Sequence, residues 1–243
     1  MRRSFLVAVF AAGLVATLAG PGCKPHGGDL NNPSFASTKT AIEVYEQLER
    51  LIDAQKDSKQ DREDAYALVV QRAETNTDYY FARAAVAGRL AENRGLQALG
   101  LVTETEDYAR RVRAADPDYR EGAATRMLGT LYVLAPPSLV AHGDSETGLE
   151  LLEAEVKAHP DRVLGRLRLA EAYIALNDPE PAKEHLCVVQ QHAATLAAGD
   201  ARLLAKLLPG VGELSCAPVA PAAAPAPAPA PGPGPGSAAV PAG

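Results

Sequence analysis

The 243-residue chain has no tryptophan, and only 5% of its residues are aromatic. A core built on large rings is thereby excluded. The 47% apolar content rests mostly on Ala, Leu and Val, which suits helices packed closely through small side chains. An excess of positive charge is also missing: 24 Lys and Arg stand against 30 Asp and Glu, a formal charge of -6. Loss of Arg2 and Arg3 with a leader would make it more negative, and nucleic acid is an unsuitable partner for such a surface. The charges are interspersed, as in Asp61-Arg62-Glu63-Asp64, the pattern of a solvated helix face.

Chemical motifs are absent as well. There is no phosphate-cradling glycine loop, zinc-ligand spacing or serine elbow, so no enzyme activity, cofactor or metal is expected. His185 and His192 lie near Cys187, but two helical turns hold their imidazoles roughly 10 Å apart, too far to ligate one ion. His142-Gly143-Asp144 could form an acid–base pair but has no nucleophile or second carboxylate beside it. Capping of the following helix by Asp144 or Ser145 explains it better.

The ends do not read as packed structure. Residues 1–22 have a positive start and an apolar stretch shorter than the roughly 20 residues that span a bilayer, the form of an export signal. The string Leu18-Ala19-Gly20-Pro21-Gly22-Cys23 resembles a bacterial lipobox, with Gly20 where that pattern normally has Leu. It implies acylation of Cys23 and an outer-membrane-anchored periplasmic lipoprotein. Cleavage near Ala19 or Gly20, releasing a soluble periplasmic protein, is the alternative. Residues 23–38 read as a flexible tether. In an oxidising compartment Cys187 and Cys216 can form a disulfide; the alternative is two free thiols, with Cys187 buried as a small hydrophobe. The tail, residues 210–243, carries nine prolines in its last 27 residues and no charge there. It reads as a disordered polyproline II spacer, solvated or recognised by a partner.

Residues 39–209 remain for one domain, and strand-like alternation is scarcely found there, while 3.6-residue apolar spacing recurs. The expected helices cover 41–56 and 61–74, then one capped by Asp78, then 105–115. Further helices are expected over 121–135, from Gly148 to the break at His159-Pro160, over 162–177, and over 179–193 with Asp178 as N-cap. A last helix over 199–208 caps the apolar face. Leu128-Gly129-x-x-Tyr132 and Leu169-Ala170-x-x-Tyr173, each followed by a second apolar helix, repeat one packing pattern. Gly129 and Gly148 are one pair of close-contact positions, and Ala170 and Ala182 the other, with Tyr132 and Tyr173 beside them. The fold expected is all-α, a tetratricopeptide-like α-solenoid of about four helix pairs with a C-terminal capping helix.

The later pairs resemble the TatT component of TRAP transporters (tripartite ATP-independent periplasmic transporters). The likeness rests on Gly122-Ala123, Leu128-Gly129-x-Leu131-Tyr132, Ala135-Pro136, Gly143-Asp144, Gly148-Leu149-x-Leu151-Leu152, Pro160 and Leu169-Ala170-x-Ala172. An ordinary repeat separates its two close-contact residues by about 12 positions. Gly129 and Gly148 are 19 apart, and the excess is an Ala-Pro…Gly-Asp loop similar to that family's. The segment Pro137-Ser138-Leu139-Val140 lacks the aromatic the family would place there.

The resemblance implies an accessory transport component in the periplasm beside a solute-binding protein, possible as a homo-oligomer. A general adaptor lipoprotein holding another envelope complex is the alternative. The expected groove comprises Ala123, Arg126, Thr130, Val133 and Leu134, then Leu164, Leu167, Glu171 and Ile174. It suits a partner or an apolar ligand. Packing of Leu164, Leu167 and Ile174 on the capping helix is the competing reading. Tyr79, Tyr80 and Phe81 spread around a helix by roughly 200°, so at least one ring is expected outward or into the groove as an anchor, unless ordinary packing absorbs them.

Overall fold

Nine α-helices and no strand occur among residues 28–216, which are the residues described by this computed structural model. They are α1 (Ala41–Asp53), α2 (Lys59–Gln71), α3 (Thr77–Ala91), α4 (Leu99–Ala115), α5 (Ala123–Leu134), α6 (Ser145–Ala158), α7 (Val163–Ala175), α8 (Pro179–Gln191) and α9 (Ala198–Val211). The leader over 1–22, Cys23, the first tether residues and the tail beyond Cys216 lie outside the described residues.

Local chemistry sets most helix starts. Thr40 with Glu43 and Ser58 with Asp61 form reciprocal capping boxes at α1 and α2. Asn76 caps α3 by accepting from the Tyr79 amide at 2.7 Å. Asp78, expected in that role, instead accepts a hydrogen bond from the Tyr119 hydroxyl. Asp144 caps α6 through the Thr147 amide at 2.8 Å. Asp178 precedes α8, but its side chain makes no capping bond there, and Pro179 supplies the helix start through its fixed φ. The helix expected over 105–115 begins earlier, at Leu99, because Val102 enters the core one turn ahead. The one expected over 121–135 begins later, since Arg120, Glu121 and Gly122 all have positive φ.

The helices pack as successive pairs, α1 with α2, α3 with α4, α5 with α6 and α7 with α8. Neighbouring pairs join through α1 and α3, α4 and α5, α5 and α7, and α6 and α7. Their cores form a chain of clusters. Phe35, Val44, Leu48, Val69 and Val86 fill the first; Ala84, Ala109, Leu128 and Tyr132 a middle one; Leu167, Ala170, Ala182, Leu186 and Leu204 the last. Most of these side chains are small or branched aliphatics, as a sequence poor in aromatics must use.

Helix α9 covers the last pair and also reaches back to the first helix. The Gly199 amide donates to Asp53 Oδ1 at 2.7 Å, and Arg202 donates to the carbonyl oxygens of Asp53 and Ile52 at 3.0 and 2.9 Å. A guanidinium on the last carbonyls of α1 supplies the Asp53 carbonyl with a donor, adds a second to Ile52, and complements the helix dipole. The array therefore ends where it began.

Two boundaries differ from expectation. Residues 28–38, read as part of a tether, pack on α2: Phe35 is only 2% exposed, and Asn32 donates to Asp61 at 2.9 Å and to Asp64 at 2.6 Å. Burial of one large apolar ring, worth roughly 1.5–3 kcal/mol, fixes a segment that its Gly and Asn content suggested was loose. At the other end α9 continues through Pro209 to a buried Val211, past the expected boundary at 209. Cys187 and Cys216 are joined by a disulfide with Cα atoms 5.3 Å apart, which ties residues 212–216 to α8.

Candidate functional site

Between α1, α3, α5 and the start of α7 lies a cavity of about 780 Å³. Tyr45 and Glu49 border it from α1, and Phe81, Ala84, Gly88 and Arg89 from α3. From α5 come Arg126, Met127, Thr130, Leu131 and Leu134, from α7 Leu164 and Arg168, and from α9 Asp200. Pro136 and Leu139 complete one wall from the segment inserted between α5 and α6. Small side chains on α3 leave the space, and the return of α9 to α1 bounds it. A second depression, on the outer side of α4, is lined by Asp107, Arg110, Arg111, Arg113, Ala114 and Pro117. Four of its six lining residues are charged, whereas the cavity inside the array is lined mostly by apolar side chains and is the better binding site.

The cavity holds three arginines and three carboxylates in its wall, and their pairing is uneven. Arg89 donates to both Glu49 oxygens at 2.7 and 2.8 Å and to Glu92 at 2.9 Å. Burial disfavours the charge of Arg89, but Glu49 and Glu92 outweigh it and hold the guanidinium more firmly protonated than usual. Arg168 is shared between Glu171 at 2.9 Å and Asp200 at 3.2 Å. Arg126 has no carboxylate within ion-pair distance among the described residues; its bonds go to the carbonyl oxygens of Glu121 and Arg120. Burial pushes its proton affinity below the ordinary value; the charges of Glu155 and Glu121 oppose that shift and those of Arg168 and Arg162 add to it, and the arginine stays charged. One turn along, Thr130 Oγ1 is buried and without a hydrogen-bond partner.

The expected groove residues divide. Ala123, Arg126, Thr130, Leu134 and Leu164 all line the cavity. Leu167 is fully buried in the last core cluster, and Ile174 packs against that cluster beneath α9, the alternative foreseen for them. Val133 packs on α6 beside Leu152 and Val156, and Glu171 is taken up by Arg168. These four sit elsewhere because a helix flanked on two sides has only a narrow stripe left for a cavity.

Of the three adjacent rings, Phe81 borders the cavity and all three pack against other rings. Tyr79 and Phe81 are buried, and Tyr80 is half-buried. Phe81 meets Tyr45 edge-on at 5.2 Å and Tyr119 at 5.3 Å, while Tyr79 and Tyr80 both lie 6.0 Å from Tyr108. The positions read as repeat packing do lie at helix crossings. A Cβ on Gly129 would fall 2.6 Å from Leu152 Cγ, and one on Gly148 would fall 2.7 Å from the Gly129 carbonyl oxygen. Ala170 and Ala182 are both fully buried in one cluster. Tyr173 stacks on His185 with centroids 6.0 Å apart, and its hydroxyl donates to Glu153.

The inserted segment is held by one side chain. Glu106 on α4 is 0% exposed, yet it accepts from the Ala141 amide at 2.9 Å, the His142 amide at 2.7 Å and the Tyr132 hydroxyl at 2.8 Å. His142 Nδ1 stands 3.2 Å from the same carboxylate. Burial raises the affinity of Glu106 for a proton, but the two amides and the tyrosine hydroxyl prevail and keep the carboxyl below its usual range. Burial and the adjacent carboxylate push the Tyr132 phenol up. His185, buried against Tyr173, is lowered by desolvation, and His192 bonds to the Val188 carbonyl.

Sequence reading missed Tyr45, Glu49, Arg89, Leu139 and Asp200 as cavity residues, and Glu106 as the loop anchor. Only Glu106 had a usable signal. It is a charged residue in the stripe of Val102, Ala109 and Val112, a buried face by helical spacing.

No protein-family model matches this sequence, and no curated protein matches it either.

Proposed function

We propose that this chain is a non-enzymatic, tetratricopeptide-like solenoid of the bacterial periplasm, anchored through Cys23 and working as a TatT-like accessory component of a TRAP-type transport system. It binds a solute-binding protein and admits a small, largely apolar molecule to its cavity. The helix crossings at Gly129 and Gly148 and at Ala170 and Ala182 support the solenoid part of the reading. The carrying observation is that the inserted loop, which separates this chain from an ordinary repeat, is clamped by Glu106 and puts Leu139 into the cavity wall. The irregular spacing and the binding space thus belong to one feature, as a transport-associated variant of the repeat would require.

Affinity capture from the envelope fraction tests it, with Cys23→Ser as the localisation control. Recovery of a solute-binding protein with the wild-type chain is the expected result. Its reproducible absence overturns the transport reading, and recovery of a secretion or cell-wall complex in its place favours a general adaptor.

A further inference from the structure

Among the described residues, every arginine but three donates a hydrogen bond to a carboxylate, an amide, a hydroxyl or a backbone carbonyl. The exceptions, Arg110, Arg111 and Arg113, are exposed and fall within about one turn of α4. With Asp107, Ala114 and Pro117 they line the depression on its outer side, a space of about 690 Å³. Arg111 is held in place by stacking, its guanidinium carbon 4.8 Å from the Tyr108 ring centre and 5.9 Å from that of Tyr80. A guanidinium carries five donors in the plane of its fork, and stacking on a ring leaves those donors open.

No acid of this chain answers the three arginines. All 30 Asp and Glu residues fall within residues 28–216, and none of them forms an ion pair with Arg110, Arg111 or Arg113. Glu106, one turn before Arg110, spends its oxygens on Ala141, His142 and Tyr132. Asp107 shares the depression, so its lining carries three positive charges against one negative, in a chain whose net charge is -6. A counter-charge for this patch can come only from another molecule.

We propose that the outer face of α4 docks an acidic, extended segment of a partner protein, whose carboxylates pair with Arg110, Arg111 and Arg113. Arginine beside aromatic rings is the side-chain chemistry enriched at protein interfaces, and its planar fork takes a carboxylate by both oxygens. The depression admits side chains. A bilayer surface is flat, and an anionic one would set its own charge against Asp107 and the exposed Asp116. The inference uses neither the cavity inside the array nor the transport reading.

The probe is a fluorescein-labelled peptide of alternating Glu and Gly, titrated by fluorescence anisotropy at low salt into the full chain carrying Cys23→Ser, beside the same peptide with Gln for Glu. The acidic peptide is expected to bind about tenfold more tightly, the combined worth of three exposed charge pairs, and the preference should shrink as salt is raised. Replacing Arg110, Arg111 and Arg113 together by Gln should abolish it. Replacing the exposed Lys56, Lys59 and Lys157 by Gln removes the same charge elsewhere and should leave most of it. Circular dichroism establishes that both triple variants are folded. Equal binding of the two peptides, no binding of either, or an equal loss in both triple variants would each overturn the proposal. So would binding to phosphatidylglycerol vesicles, or self-association, that only the arginine variant loses while the peptides are not distinguished. A peptide preference carried by the arginines, without capture of a solute-binding protein, would leave the proposal standing and remove the transport reading alone.

Discussion

Gly148 approaches Gly129 so closely that a methyl group on it would meet the Gly129 carbonyl oxygen at 2.7 Å and Tyr132 Cβ at 2.8 Å. Backbone cannot yield as a flexible side-chain end can, so the two helices must separate to admit a Cβ. Gly148→Ala is expected to cost about 1–3 kcal/mol, the usual penalty for overpacking. Urea unfolding of the variant beside the wild type checks it. A midpoint shift below the error of the fit would mean the crossing is looser than described.

Glu106 predicts a pH dependence. Its folded-state affinity for protons is below that of the unfolded chain, so it contributes stability above its unfolded pKa, and that contribution is lost as pH falls through its folded value. Melting temperatures recorded from neutral pH into the acid range should therefore fall for the wild type more steeply than for Glu106→Gln. At neutral pH that variant should be less stable by about 2–4 kcal/mol, as expected for weakening several hydrogen bonds to a buried carboxylate. Hydrogen exchange should quicken in residues 140–143. Parallel melting curves for the two proteins would remove Glu106 from this role.

The disulfide offers a third measurement. Cys187 and Cys216 are 29 residues apart, and closing such a loop restricts the unfolded chain by about 3–4 kcal/mol. In a Cys23→Ser background, reduction should lower the denaturant midpoint and raise exchange in α9 before α3 and α4. Identical midpoints for the oxidised and reduced proteins would contradict this.

Helix content and pair order were legible because apolar spacing is a local property. The small-residue crossings were legible because Gly129, Gly148, Ala170 and Ala182 stand out against branched neighbours. Phe35 was not: a single ring in a Gly- and Asn-rich stretch has no periodicity, and only the first core cluster it joins explains its burial. Within the cavity, Arg126, Thr130 and Leu134 could be found by counting along α5. Glu49, Arg89 and Asp200 could not, because they come from helices distant in sequence, α1 packed on α3 and α9 returning to α1.

That return also constrains how many helix pairs fit between α1 and α9. Open helical arrays can gain or lose units at their ends, because each unit touches only its neighbours. Here Arg202 of the last helix grips the carbonyl oxygens that finish the first. Inserting or deleting one helix pair would carry Arg202 away from that helix end and open the cavity at the seam. Relatives that keep the cavity should accordingly vary in their loops and tails but not in the number of helices between Asp53 and Gly199.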